Sequence, residues 1–203
     1  MAVIGVGAAY GVTRLHHGST LSPLQARIVS IAEGQVGYTT DPANTYCNKY
    51  SAYWYAGTAD CGGNGNLDEE WCSDFAAWVW KEAGVVVDYQ LAPGYLNGNS
   101  ASFYVWGTNH STWHPVGSGY VPQPGDVAVY GLNTQAVSAV HVAVVTADTG
   151  NPTAPDVVNG DGDRTGFSVV EVGTNQGDAD VKTNSAPLSG YVSPSSPSSS
   201  TSS

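Results

Sequence analysis

Basic residues are scarce in this chain: Lys and Arg total six among 203 residues, against 17 Asp and Glu, for a net charge of −11. Six cations cannot line a phosphate backbone, which excludes nucleic-acid binding as a function class. An acidic protein also gains no electrostatic attraction to anionic membranes or anionic wall polymers, so such surfaces must be engaged by shape, hydrogen bonds or a separate module. Charged residues of either sign make up only 11%, less than half of the roughly 25% typical of globular domains. Gly, Ser, Thr and Asn carry the polarity instead, a surface common in extracellular proteins. No apolar run reaches the roughly 20 residues that a spanning helix needs, which excludes membrane insertion of the mature domain. Ala2 to Tyr10 is small and apolar like the end of a signal h-region, but Arg14 follows it rather than precedes it. Residues 1–20 therefore read as a signal remnant or a disordered N-terminus. Also missing are a G-x-S-x-G elbow, an H-E-x-x-H pair, a phosphate-binding glycine motif and any internal repeat.

Cysteine is limited to Cys47, Cys61 and Cys72. An odd count points to one bridge and one free thiol. Cys47 and Cys61 flank a turn-rich segment, and a bridge between them would close a loop of about 15 residues and contribute roughly 3 kcal/mol. Such a bridge requires an oxidising compartment, so the protein is expected to be secreted, extracellular or wall-associated. The Ser-rich stretch 193–203 cannot bury enough surface to fold and reads as a disordered linker or tail. One domain is left, over residues 21–192.

Within it, Ser22, Pro23 and Gln25 form an S-x-x-Q helix start, and Leu24, Ile28, Ile31 and Ala32 then share a face up to Gly34 and Gly37. Residues 38–68, rich in Tyr, Gly and Asn, read as a long irregular segment. A second helix is expected over 69–83 with Gly84 as its stop. Cys72, Ala76, Val79 and Ala83 lie on one stripe, and Trp71, Phe75 and Trp78 on the next. The period then changes: strands are expected at 127–130, 139–146, 156–159 and 167–172, with a turn at 123–126. Helices followed by an antiparallel sheet make an α+β fold, with the helices packed on one side of the sheet.

The chemistry gathers around Cys72 in the first turn of the second helix, where unpaired N–H groups and the positive dipole end favour a thiolate. Asp68, Glu69 and Glu70 just before it act in the opposite sense. His141 interrupts the β run 139–145 and shares a strand face with Ala143 and Val145, so its ring must meet a polar partner. It is the candidate base for Cys72. A third group should orient the ring: Asn159, which ends the next β run, or Asp161 two residues on. The backbone N–H of Cys72 is placed to face an oxyanion. His110 and His114 are spaced i, i+4 but sit among residues that do not form helices, and 159–163 lacks the Gly and Glu of a calcium loop, with Arg164 and Val170 in their places. No metal or organic cofactor is implied.

The run from Glu70 to Val79 (EWCSDFAAWV) resembles the nucleophile helix of the CHAP-domain amidohydrolases/peptidases, relatives of the papain-like cysteine peptidases. Pro124 to Tyr130 (PGDVAVY) and His141 to Val145 (HVAVV) resemble that family's P-G-D strand and H-V-[AG]-[IV]-V strand. Val158 to Asp161 (VNGD) resembles its E-G-N strand end, with Asn159 where Glu is usual and Asp161 where Asn is usual. The resemblance covers roughly residues 24–175. It implies a papain-like fold and hydrolysis of an amide in peptidoglycan or a peptide, with Cys72 and His141 as the catalytic pair. In the wider fold group a side chain upstream of the nucleophile completes the oxyanion hole, and Tyr50 is the candidate here. The protein is expected to act as a monomer. The alternatives are an inactive wall-binding module on the same fold and a cysteine peptidase acting on a protein.

Overall fold

A computed structural model of the protein describes residues 20–42, 45–55, 70–90, 95–162, 168–181 and 184–194. Most of the N-terminal segment 1–20, Cys61, Asp68, Glu69 and most of the Ser-rich tail lie outside the described residues. The capping box at Ser22 is formed. Ser22 Oγ accepts from the Gln25 N–H at 3.2 Å, and Gln25 Oε1 accepts from the Ser22 N–H at 2.8 Å. They open α1, Pro23–Glu33.

The stretch expected to be irregular contains a helix, α2, Lys49–Tyr55. Its start signal is Asn48, whose buried Oδ1 accepts from the N–H groups of Tyr50 and Ser51, both at 2.9 Å. Aromatic composition masked a seven-residue helix that is too short to be stable alone and depends on its packing. The next helix, α3, is Cys72–Ala83, with Trp71 at the N-cap and Gly84 closing it in the left-handed region at φ 94°. It starts three residues later than expected, which places Cys72 at the first helical position. A further helix absent from the sequence reading, α4, spans Ala101–Asn109.

Seven strands follow where four were expected: β1 Trp113–Pro115, β2 Val127–Tyr130, β3 His141–Ala147, β4 Asp156–Gly162, β5 Val169–Gly173, β6 Asp178–Val181 and β7 Asn184–Val192. All their pairings are antiparallel, in the order β1-β7-β2-β3-β4-β5, with β6 paired to β7. The fold is α+β, as the alternation of periods predicted. β7 was hidden by Pro187 and Gly190. The glycine is needed there because an added Cβ would stand 2.5 Å from both the Trp113 ring and the His114 carbonyl oxygen.

Alternation along the central strands divides two cores. Val127, Val129, Val142, Val144 and Val158 meet Ile28, Phe75, Val79, Trp80 and Trp106 of the helices. Ala128, Tyr130, Ala143, Val145 and Val157 meet Ala179, Leu188 and Tyr191 on the other face. α3 packs against both β3 and β4. Its closest approach is at Gly160, where a Cβ would lie 2.4 Å from Phe75 Cβ. That bare backbone lets the start of α3 settle onto the sheet beside the beginning of β3.

Candidate active site

Cys72 is a free thiol, 2% exposed, and His141 is 4% exposed. Cys47 is disulfide-bonded. The first hydrogen bond of the α3 ladder runs from the Phe75 N–H to the Trp71 carbonyl at 2.9 Å. The Cys72 N–H therefore stands ahead of the ladder, with the other unpaired donors of the first turn.

His141 begins β3, and its ring reaches across to β4. Nε2–H donates to Asn159 Oδ1 at 2.9 Å. A carbonyl oxygen only accepts, so the proton resides on Nε2 and Nδ1 keeps a free lone pair. Asn159 is itself clamped. Gln176 Nε2 donates to Asn159 Oδ1 at 3.1 Å, and Asn159 Nδ2 donates to Gln176 Oε1 at 3.0 Å. Gln176 is fixed in turn by its N–H on the Pro155 carbonyl at 2.8 Å and by the Tyr130 hydroxyl, which donates to its carbonyl at 3.1 Å. Nothing in the sequence pointed to Gln176, since an Asn-Gln-Gly turn looks like any other.

Asp161 is placed elsewhere. In an unbroken strand, residues 159 and 161 would share a face. β4 instead changes register between Asn159 and Gly162, and Asp161 takes a left-handed φ of 57°. This bulge turns its carboxylate toward α3. Oδ2 accepts from the Trp71 N–H at 3.1 Å, and Oδ1 accepts from the Ser168 hydroxyl. Asn159 holds the ring, and Asp161 caps the helix.

Tyr50 makes no hydrogen bond to Cys72. Its hydroxyl bonds Gln35 Oε1 at 3.1 Å, and its ring stacks on Trp71 and packs edge-on against Phe75 and Trp78. The expectation that it lines an oxyanion hole is replaced by a packing role on the aromatic stripe of α3.

The sulfur has two hydrogen-bond partners. Ser100 Oγ lies 3.2 Å from Cys72 Sγ. The backbone N–H of Val142, next to His141, is the other. The β3–β4 ladder ends at the Ala143–Asn159 pair, one residue short of Val142, which leaves that N–H for the sulfur. Cys72 and His141 are not hydrogen-bonded to each other in this resting arrangement.

Burial pushes the thiol up to about 12, helped by the negative charges of Asp161 and Glu70, while Ser100 and Val142 act in the opposite sense. Burial lowers the His141 imidazole below its usual 6.5, against the Asn159 hydrogen bond and Glu70, which raise it. Burial thus opposes the charged form of both groups. Glu70, read in the sequence as opposed to a thiolate, does act so.

Residues 62–160 match the CHAP domain family model. The chain contains a CHAP domain over these residues. The matched span contains Cys72, His141 and Asn159, and ends one residue before Asp161. CHAP domains are generally hydrolytic amidases or peptidases. No curated protein and no solved structure gives a significant match to this chain.

Among the described residues no group of three His, Cys, Asp or Glu side chains is arranged to hold a metal ion. His110 caps the end of α4 and stacks on Trp106, whereas His114 lies in β1 and stacks on Tyr120. No helix among the described residues is long and apolar enough to cross a membrane.

Proposed function

We propose that this CHAP-domain protein is a secreted cysteine amidohydrolase or endopeptidase that cleaves an amide bond in peptidoglycan by acyl transfer to water. Cys72 is the nucleophile, His141 the base and Asn159 the group that orients the ring. The observation carrying this reading is the 2.9 Å bond from His141 Nε2–H to Asn159 Oδ1. It leaves Nδ1 as a lone-pair base one residue along the strand from the N–H that meets the sulfur.

The Cys72 proton passes to Nδ1 as the sulfur attacks the carbonyl carbon. The Cys72 N–H, free at the helix start, receives the developing oxyanion. Imidazolium gives its proton to the departing amine. Water, deprotonated by the same ring, then cleaves the thioester to a carboxylate and restores the thiol. Because burial opposes charge on both groups, proton transfer accompanies attack rather than preceding it.

A cavity of about 190 Å3, lined by Tyr95, Asn97, Asn99, Ser102, Val105 and Val137, flanks the segment that carries Ser100. Its mix of amide and apolar groups suits a peptide or sugar chain. The pairing of Cys47 with Cys61 belongs to the same proposal, and with it an extracellular or wall-associated setting. One observation favours a second reading, an inactive wall-binding module: Cys72 is almost wholly buried. Digestion of purified peptidoglycan with wild type and Cys72→Ala, followed by mass spectrometry, separates the two. New amine ends from wild type alone support the hydrolase. An intact wall under both conditions, with the protein retained on it, would establish the binding module.

A further inference from the structure

Ser100 stands at the N-cap of α4, a position where serine is favoured because its oxygen accepts from the N–H groups of the first turn. It makes no such bond, and its backbone is helical (φ −55°, ψ −34°) rather than extended. The Ala101 N–H is taken by Asn99 Oδ1 at 2.8 Å. The Ser100 hydroxyl, buried within the fold, turns instead to Cys72 Sγ at 3.2 Å.

While the sulfur carries its proton, either atom can donate. A sulfur without its proton has only lone pairs, and then the direction is forced: the serine donates. The surroundings make this donor matter. Asp161 from the β4 bulge and Glu70 ahead of α3 both oppose negative charge on the sulfur. Without Ser100, the Val142 N–H would be the one hydrogen-bond donor left to set against them.

We propose that Ser100 is a further catalytic residue of this site, whose hydroxyl donates to the Cys72 sulfur as the thiol loses its proton. The assignment rests on the reading of Cys72 as nucleophile. The helix is not involved, because the hydroxyl makes no capping bond.

The test measures the alkylation rate of Cys72, the free thiol, with iodoacetamide from pH 6 to 10 in wild type, Ser100→Ala and Ser100→Thr, alongside peptidoglycan hydrolysis and thermal midpoints. The expected result is alkylation of Ser100→Ala slowed throughout that range, about tenfold or more for a thiol shift of one unit or more. kcat should fall in parallel with little change in KM, and Ser100→Thr, which keeps the hydroxyl, should restore both. Thermal midpoints should barely move. Alkylation of Ser100→Ala at the wild-type rate throughout that range overturns the assignment, whatever happens to hydrolysis. If that occurs while Cys72→Ala is inactive, the Ser100 assignment alone has failed. Full hydrolysis by Cys72→Ala overturns the nucleophile reading and this one with it.

Discussion

The state of one imidazole decides when the site can work. His141 must be neutral to accept a proton, and burial already lowers it from 6.5. The base form is therefore complete above that value and is lost as pH falls through the lowered one. kcat/KM should hold from pH 8 down to about 6.5 and decline only below it, which a pH-rate profile on a soluble peptide substrate would read. An acid limb well above 6.5 would contradict the assignment. Gln176 acts one step further out, as a positioning residue. Gln176→Ala frees the Asn159 amide to rotate, and misplacing the ring should lower kcat about 10- to 100-fold with KM nearly unchanged. The acid limb should also shift, a change that loss of folding would not produce. Cys72, His141 and Asn159 could be proposed from the sequence because each sits in a short local pattern. Ser100 and Gln176 were not: their roles come from bonds to residues 28 and 17 positions away.

At the scale of elements, the site depends on how closely α3 lies against β4. Gly160→Ala places a methyl 2.4 Å from Phe75 Cβ. The overpacking should cost about 1–3 kcal/mol in chemical denaturation and reduce hydrolysis further than that loss of stability explains, because α3 carries Cys72. Ser22→Ala is the contrasting case. It removes the bond that Ser22 Oγ accepts from the Gln25 N–H and should cost about 1 kcal/mol while leaving activity per folded molecule unchanged. α1 was readable from its cap and α3 from its amphipathic stripes. The helix at Lys49–Tyr55 and the strand at Asn184–Val192 were not, because one is too short to signal itself and the other carries Pro and Gly that normally mark a loop. Asp161 belongs here too. Alternation gave it the same standing as Asn159, and only the bulge, a feature of how β4 pairs with β5, separated them.

For the whole molecule, the net charge of −11 bears on how the proposed wall substrate would be met. A wall rich in anionic polymers would repel the protein, and salt would screen that repulsion. Digestion of such walls should speed up as ionic strength rises from about 0.01 M to about 0.15 M, whereas digestion of walls stripped of those polymers should change little. Faster digestion of the intact wall at low salt would show that a positively charged patch outweighs the net charge. The α+β class, the separation of helices from sheet, and the choice of Cys72 and His141 as the candidate pair are read from the chain residue by residue. Periodicity and capping act over a few positions, so they are written in the order of residues. Which carboxyl or amide steadies the ring, which hydroxyl meets the sulfur, and whether that sulfur rests charged or neutral were decided by the folded arrangement. Those outcomes depend on desolvation and on hydrogen bonds between distant segments, and both exist only once the segments have been packed together.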